Sequence, residues 1–220
     1  LFTIKRDINV IPNFIEQGNI KEGFTDCQRD LMAQPHERII THISNMRAVK
    51  CIPDVIKVFA KIQEEIPAKL IMVGEGPERE PGENLCDELG IGKKVVWLGN
   101  SNEIDKILCF SDLFLLPSRA ESFGLAALEA MAHGVPVVSS NAGGLSEVNV
   151  NGISGYLSDI GDVDTMATNA LSILTEDSTL QRFKEQARAE AKKFDIDYIV
   201  PMYEEIYEKA LGKSQKKARA

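Results

Sequence analysis

The sequence predicts an α/β fold: a doubly wound, Rossmann-like parallel sheet with C-terminal helices. Two observations lead to it. From about residue 37, short runs that are apolar throughout alternate with longer amphipathic ones. Continuous apolar strands separated by helices indicate a parallel sheet covered on both faces. After residue 160 the alternation stops and only helical patterns remain.

Six runs have the length and closure of buried strands: 38–44, 69–74, 95–99, 113–118, 136–140 and 155–158. The first helical pattern, 53–65, places Val55, Ile56, Val58, Phe59 and Ile62 at helical spacing. Patterns at 84–89 and 103–110 are shorter, and 123–133 is stopped by Gly134. Helices then cover 163–174, 178–193 and 198–211. Each crossover is expected to be right-handed, with ligands beyond the carboxyl ends of the strands. Functional residues are therefore expected in the loops 44–52, 74–82, 99–103, 118–123 and 141–146. Residues 1–36 form a leading segment in which Asn9–Ile15 reads as a short strand running into a turn. The chain opens on Leu1, already strand-like, and reads as cut from something longer. Residues 212–220 carry Lys213, Lys216, Lys217 and Arg219 without apolar periodicity, which predicts a disordered basic tail.

The 220 residues carry a net charge of −8, which argues against a nucleic-acid partner bound through its backbone. An anionic ligand is compatible, because local cations can bind phosphate inside an acidic protein. The four cysteines, Cys27, Cys51, Cys86 and Cys109, contain no CxxC pair, and His36, His42 and His133 are scattered among them. Neither a zinc site nor a disulfide framework is expected, and Cys86 and Cys109 read as core. No apolar run reaches the ~20 residues of a bilayer span, and no secretory leader is read. A cytoplasmic protein is expected. Its oligomeric state is left open, a homo-oligomer included.

The most informative segment is 117–134. A strand ends at Ser118, and Ser122 suits the N-cap of the next helix. The N–H groups of Phe123, Gly124 and Leu125 would then be unpaired at a helix N-terminus, where oriented amides and the dipole bind phosphate. Gly124 permits close approach. Glu121 could bond sugar hydroxyls, and Glu129, about two turns on, a ribose diol. A bare glutamate pair more often reflects only the helix dipole and a solvated face.

The surrounding string says more. Glu-x7-Glu enclosing Ser-Phe-Gly-Leu, after a strand and before Ala-Met-Ala-x-Gly-x-Pro-Val-Val, resembles the signature of retaining family-4 glycosyltransferases with the GT-B fold. The similarity continues in order along 7–211. It implies that 37–195 is the nucleotide-sugar-binding domain and 1–36 an interdomain linker. Residues 196–211 would be a helix crossing back to an N-terminal acceptor-binding domain absent from this chain. The piece alone is expected to bind donor weakly without turnover.

Other segments fit the same resemblance. In 41–50, Arg47 and Lys50 are two cations at the ligand edge, suited to a diphosphate by fork and point charge respectively. The resemblance makes Arg47, Lys50 and Glu121 the catalytic set. It makes Asn100, Ser122, Phe123, Gly124, Leu125 and Glu129 the donor-binding set. The turn Gly74-Glu75-Gly76-Pro77 reads as a shape element. Trp97 falls within a strand and reads as core, with the nucleotide base expected beside the following loop. Gly143, Gly144 and Glu147 match the family's Gly-Gly-x-x-Glu turn, whose glycines allow close backbone approach.

No Asp-x-Asp or His cluster suggests a metal, so a UDP-sugar donor without a metal cofactor is expected. Charge on the leaving diphosphate would fall to Arg47, Lys50 and the helix end. The family retains anomeric configuration, by front-face attack in which the leaving phosphate takes the acceptor proton. Within the family, the strings 42–50, 53–55 and 11–14 are most similar to the bacillithiol-pathway subgroup, which joins N-acetylglucosamine to malate. Another family-4 hexosyltransferase of glycan or lipid glycosylation, or a non-catalytic nucleotide-sugar-binding module, shares most of these motifs.

Overall fold

The computed structural model describes residues 9–16, 27 and 29–218, with side chains as far as Leu211. Among these residues, six strands form one sheet: β1 (Arg38–Ile43), β2 (Ala68–Val73), β3 (Val95–Gly99), β4 (Leu113–Leu116), β5 (Val137–Ser140) and β6 (Gly155–Ser158). Every pairing is parallel, and the order is β3-β2-β1-β4-β5-β6. The helices are α1 (Arg29–Met32), α2 (Ile52–Glu65), α3 (Arg79–Glu88), α4 (Ile104–Phe110), α5 (Leu125–Ala132), α6 (Leu145–Val148), α7 (Val163–Leu174), α8 (Asp177–Ala191) and α9 (Ile196–Ala218). The doubly wound domain expected from the sequence is present.

The chain steps outward from β1 to β3, then returns to place β4 on the other side of β1. Strand order reverses there, and in open α/β sheets the ligand crevice lies at that reversal. β1 pairs with β2 at six register positions but with β4 at only two, Ile40 with Leu113 and Thr41 with Phe114.

Burial on both faces explains why the strands read as unbroken apolar runs. In β4 all four side chains are buried. Leu113 and Leu115 pack into the core layer shared with α2 and α7, while Phe114 and Leu116 pack into the layer shared with α5. Successive strand residues face opposite sides, so both faces must be apolar. α2 contributes Ile52, Val55, Ile56, Val58, Phe59 and Ile62, the stripe expected from its spacing.

Four expectations need correction or completion. α3 starts at Arg79, five residues before the expected 84. Pro81 sits in its first turn, where a missing N–H loses no intrahelical bond. A Cβ on Gly82 would lie 2.9 Å from the Trp97 ring and 3.0 Å from Ile52, so the glycine serves close packing rather than a break.

The backbone of α9 continues to Ala218, through most of the stretch expected to be a disordered tail. Lys, Gln and Ala are good helix formers, and extending an existing helix needs no new nucleus. Missing apolar periodicity was therefore not a signal of coil.

The leading segment is pinned at Ile15. Its N–H donates to the Phe194 carbonyl (3.0 Å), and its carbonyl accepts from Ile196 (2.9 Å). Phe14 meets Tyr203 of α9 edge-on at 6.3 Å. The rest of the expected linker lies largely outside the described residues.

Cys27 and Cys109 are joined as a disulfide, with Cα atoms 5.7 Å apart. This overturns both the expectation of no disulfide and the reading of Cys109 as core. Nothing local could reveal a pair separated by 82 residues. Cys51 and Cys86 are free and buried. Thiol titration of the unfolded, unreduced protein is expected to find two thiols, rising to four after reduction; four before reduction would refute the pair.

Candidate functional site

The carboxyl end of β1 supplies His42, which is fully buried. Its Nδ1 lies 2.8 Å from the Leu115 carbonyl of β4, and its Nε2 lies 2.7 Å from Ser44 Oγ. Burial pulls its pKa down to about 4. The Leu115 bond and nearby Glu121 oppose that shift, and nearby Lys50 reinforces it. The ring is therefore neutral at pH 7.

Beyond Ser44 the loop passes Met46, a buried residue at positive φ, and exposed Arg47. It then makes a 3-10 turn, Ala48–Lys50, before α2. Gly74 and Gly76 back onto this loop: a Cβ on either would come within 2.1 Å of the Ser44 or Asn45 carbonyl oxygen. The Gly-x-Gly-Pro turn thus has the structural role expected of it.

On the other side of the reversal, the loop after β4 carries Glu121. Lys50 Nζ lies 2.5 Å from Glu121 Oε1, and Ser118 Oγ donates to the same oxygen at 2.8 Å. Both partners are largely shielded, with side chains 20% and 12% exposed. Ser140 at the end of β5 donates to the Ser118 carbonyl. Arg119 N–H donates to the Val49 carbonyl at 2.8 Å, lacing the two loops together. Its guanidinium stands beside Cys51.

The turn after β5 holds Glu121 in place. Gly144 N–H donates to the Glu121 carbonyl at 3.0 Å. Gly143 adopts φ +54, and a Cβ there would sit 2.0 Å from the same carbonyl oxygen. The close backbone approach expected of these glycines is therefore to the Glu121 loop itself.

Helix α5 begins at Leu125, with Gly124 as its cap at φ 97 and no side-chain cap bond. The expected cap, Ser122, is exposed and stands three residues before the helix. Phe123 explains the shift. It is buried against Phe194, ring centroids 5.7 Å apart, so the chain dips into the core before it can turn helical. The first-turn amides are those of Leu125, Ala126 and Ala127, with no intrahelical carbonyl to bond.

A family profile described as "Glycosyl transferases group 1" matches residues 26–190, well over half of the chain. The chain belongs to the glycosyl transferases group 1 family. N-acetyl-alpha-D-glucosaminyl L-malate synthase of Bacillus anthracis is 40% identical over 204 residues, covering 92% of this chain and 54% of that protein. D-inositol 3-phosphate glycosyltransferase of Mycobacterium marinum is 32% identical over 189 residues, covering 81% and 40%. Sucrose-phosphate synthase from Thermosynechococcus elongatus shares the fold at TM-score 0.83 and 23% identity, over 93% of this chain and 53% of that one. Anabaena Alr3699/HepE, solved in complex with UDP and glucose, does so at TM-score 0.81 and 23% identity, over 92% and 56%. The chain spans about half the length of these relatives.

This group 1 glycosyl transferase domain brings together some of the residues singled out from its sequence and separates others. Lys50 and Glu121 touch, and Arg47 lies exposed on the same loop as Lys50. Among the described residues, Arg47 has no ion-pair partner within range. Leu125 opens the helix and is 42% exposed. Glu129 is on the exposed face of α5, with its carboxyl raised above the ordinary range chiefly by desolvation; Asp105 adds to the shift and His133 opposes it. Asn100 stands apart at the end of β3, two strands from β1, beside a cavity of ≈ 200 Å³ lined also by Leu98, Ser101 and Ile107. Trp97 packs over Gly82 as core, with Arg79 6.0 Å from its ring.

His42, Ser44, Ser118 and Arg119 were not singled out as site residues. A signal existed for the first pair: residues two apart at a strand end share a face. Among the described residues, no group of three or more His, Cys, Asp or Glu could hold a metal ion. No helix among them is long and apolar enough to cross a membrane.

Proposed function

We propose that this chain is the donor-binding half of a retaining glycosyltransferase that moves N-acetylglucosamine from UDP-N-acetylglucosamine to L-malate. The observation that carries the donor-binding reading is the meeting of Lys50 and Glu121 across the strand reversal. A cation and a carboxylate there suit the two ends of a sugar nucleotide, the diphosphate and the hydroxylated sugar. Arg47, Arg119 and the α5 amides add positive potential to the same mouth. The bonds to Glu121 fall on Oε1, which leaves Oε2 for a sugar hydroxyl. Glu129 and Asn100 are assigned to the nucleoside, and the diphosphate is held without a metal. The sugar and acceptor are supported by the 40% identity to the Bacillus anthracis synthase.

The acceptor pocket belongs, in this reading, to the remaining half of the protein. The exposed Tyr198, Met202, Tyr207 and Leu211 of α9 would meet that half. Calorimetry on the full-length protein is expected to show binding of UDP and UDP-N-acetylglucosamine in preference to GDP-mannose, with malate accelerating UDP release. A preference for GDP-mannose, or release indifferent to malate, would overturn the assignment of substrates.

A further inference from the structure

The hydrogen bonds around His42 have only one consistent direction. A carbonyl oxygen can only accept, so Nδ1 carries the hydrogen that Leu115 receives. With the ring neutral, Nε2 is a bare acceptor, and Ser44 must donate its hydroxyl hydrogen to it. Ser44 Oγ is then free to accept the Met46 N–H, 3.1 Å away. The relay runs from the Met46 amide through Ser44 and His42 to the backbone of β4.

Met46 is where the loop turns. Its φ of 40 is unusual for a residue with a side chain, and such a conformation persists only where the surroundings over-determine it. From the β2 side, its carbonyl accepts the Glu78 N–H at 2.9 Å, and Gly74 and Gly76 press on Ser44 and Asn45. From the β4 side, the relay holds its amide. Arg47 follows at once, and Lys50 closes the next turn. The charged groups that act on the ring are Lys50 on the same loop and Glu121 on the facing one.

We propose that His42 and Ser44 are positioning residues: their relay fixes the Met46 turn and so presents Arg47 and Lys50 to the donor diphosphate. The proposal rests on the donor-binding reading above. It gives a neutral, buried histidine a purpose other than proton transfer, since both ring nitrogens are already committed within the protein.

The test is UDP affinity, by calorimetry on the full-length protein, for wild type, Ser44→Ala, Ser44→Cys, Arg47→Ala and the Ser44→Ala/Arg47→Ala double variant. Loss of one well-placed hydrogen bond is expected to weaken UDP about tenfold in both Ser44 variants. The isosteric Cys variant, a poor donor, keeps the experiment decisive if the Ala variant does not fold. Because Ser44 acts in part through Arg47, the double variant is expected to bind UDP more tightly than the product of the two single losses would give. A merely structural role would leave the two losses to multiply. Multiplied losses, or wild-type affinity in both Ser44 variants, would overturn the proposal while leaving donor binding intact. A wild-type protein that does not bind UDP would instead overturn the donor-binding reading and this proposal with it.

Discussion

Lys50→Ala is expected to lower sugar transfer by the full-length enzyme about 10²- to 10³-fold, with kcat falling as well as donor affinity. Two effects act in the same direction. On the donor-binding proposal, the variant removes a fixed positive charge from the place where charge would develop on the departing diphosphate. It also leaves Glu121 without its partner, in a position only 12% exposed. An unpaired carboxylate beside an incoming diphosphate repels it, which a lost cation alone would not do. Glu121→Gln separates the two effects, because it keeps a group that can accept from Ser118 but removes the negative charge. Combining it with Lys50→Ala is expected to recover part of the donor affinity and little of kcat. If Lys50→Ala transferred sugar within about threefold of wild type, the leaving-group charge would have to be met by Arg47 or Arg119 instead.

The second large effect lies at the amino end of the central strands, away from the crevice. Asp112, just before β4, is 4% exposed. It receives Lys184 at 2.9 Å and Arg29 at 2.8 Å, and it accepts the Ile39 N–H at 3.0 Å. Burial by itself would raise its pKa, but Lys184, Arg29 and the Ile39 bond outweigh it, and the carboxyl lies below its ordinary 3.8. Asp112→Ala takes the carboxylate from Lys184, leaves Arg29 with only the Phe110 and Glu37 carbonyls, and orphans the Ile39 amide. With the two cations 23% and 28% exposed, the cost is expected at about 3 kcal/mol, the lower end for breaking a buried pair. Urea denaturation at pH 7 would measure it. Because the folded pKa is the lower one, the stabilisation is complete above the unfolded value and disappears as pH falls through the folded value. Wild type and variant should therefore converge in strong acid. A constant gap down to pH 2 would show that packing, not charge, accounts for the loss.

How far the sequence could be read depends on where each signal is stored. β4 was legible because Leu113, Phe114, Leu115 and Leu116 are all buried, and burial on both faces writes itself as a continuous apolar run. α3 was misplaced because Pro81 and Gly82 look like breakers, whereas one sits where a proline is harmless and the other where only hydrogen fits. The helix cap at Gly124 was mistaken for Ser122 because the pull of Phe194 on Phe123 comes from 71 residues away.

The same limit applies to the site. Lys50 and Glu121 could each be picked out locally. Their contact with one another, like the Cys27–Cys109 bond, is a product of strand order. Ser118 holds Glu121 through a side-chain hydrogen bond that no spacing announces.

The strand pairing has a mechanical consequence. Only two register pairs join β1 to β4, and that ladder gives out before either loop begins. From there outward the two halves of the sheet are fastened by the His42 bond to Leu115, the Arg119 bond to Val49 and the Lys50–Glu121 contact. The mouth of the crevice is hemmed mostly by side chains rather than woven by backbone.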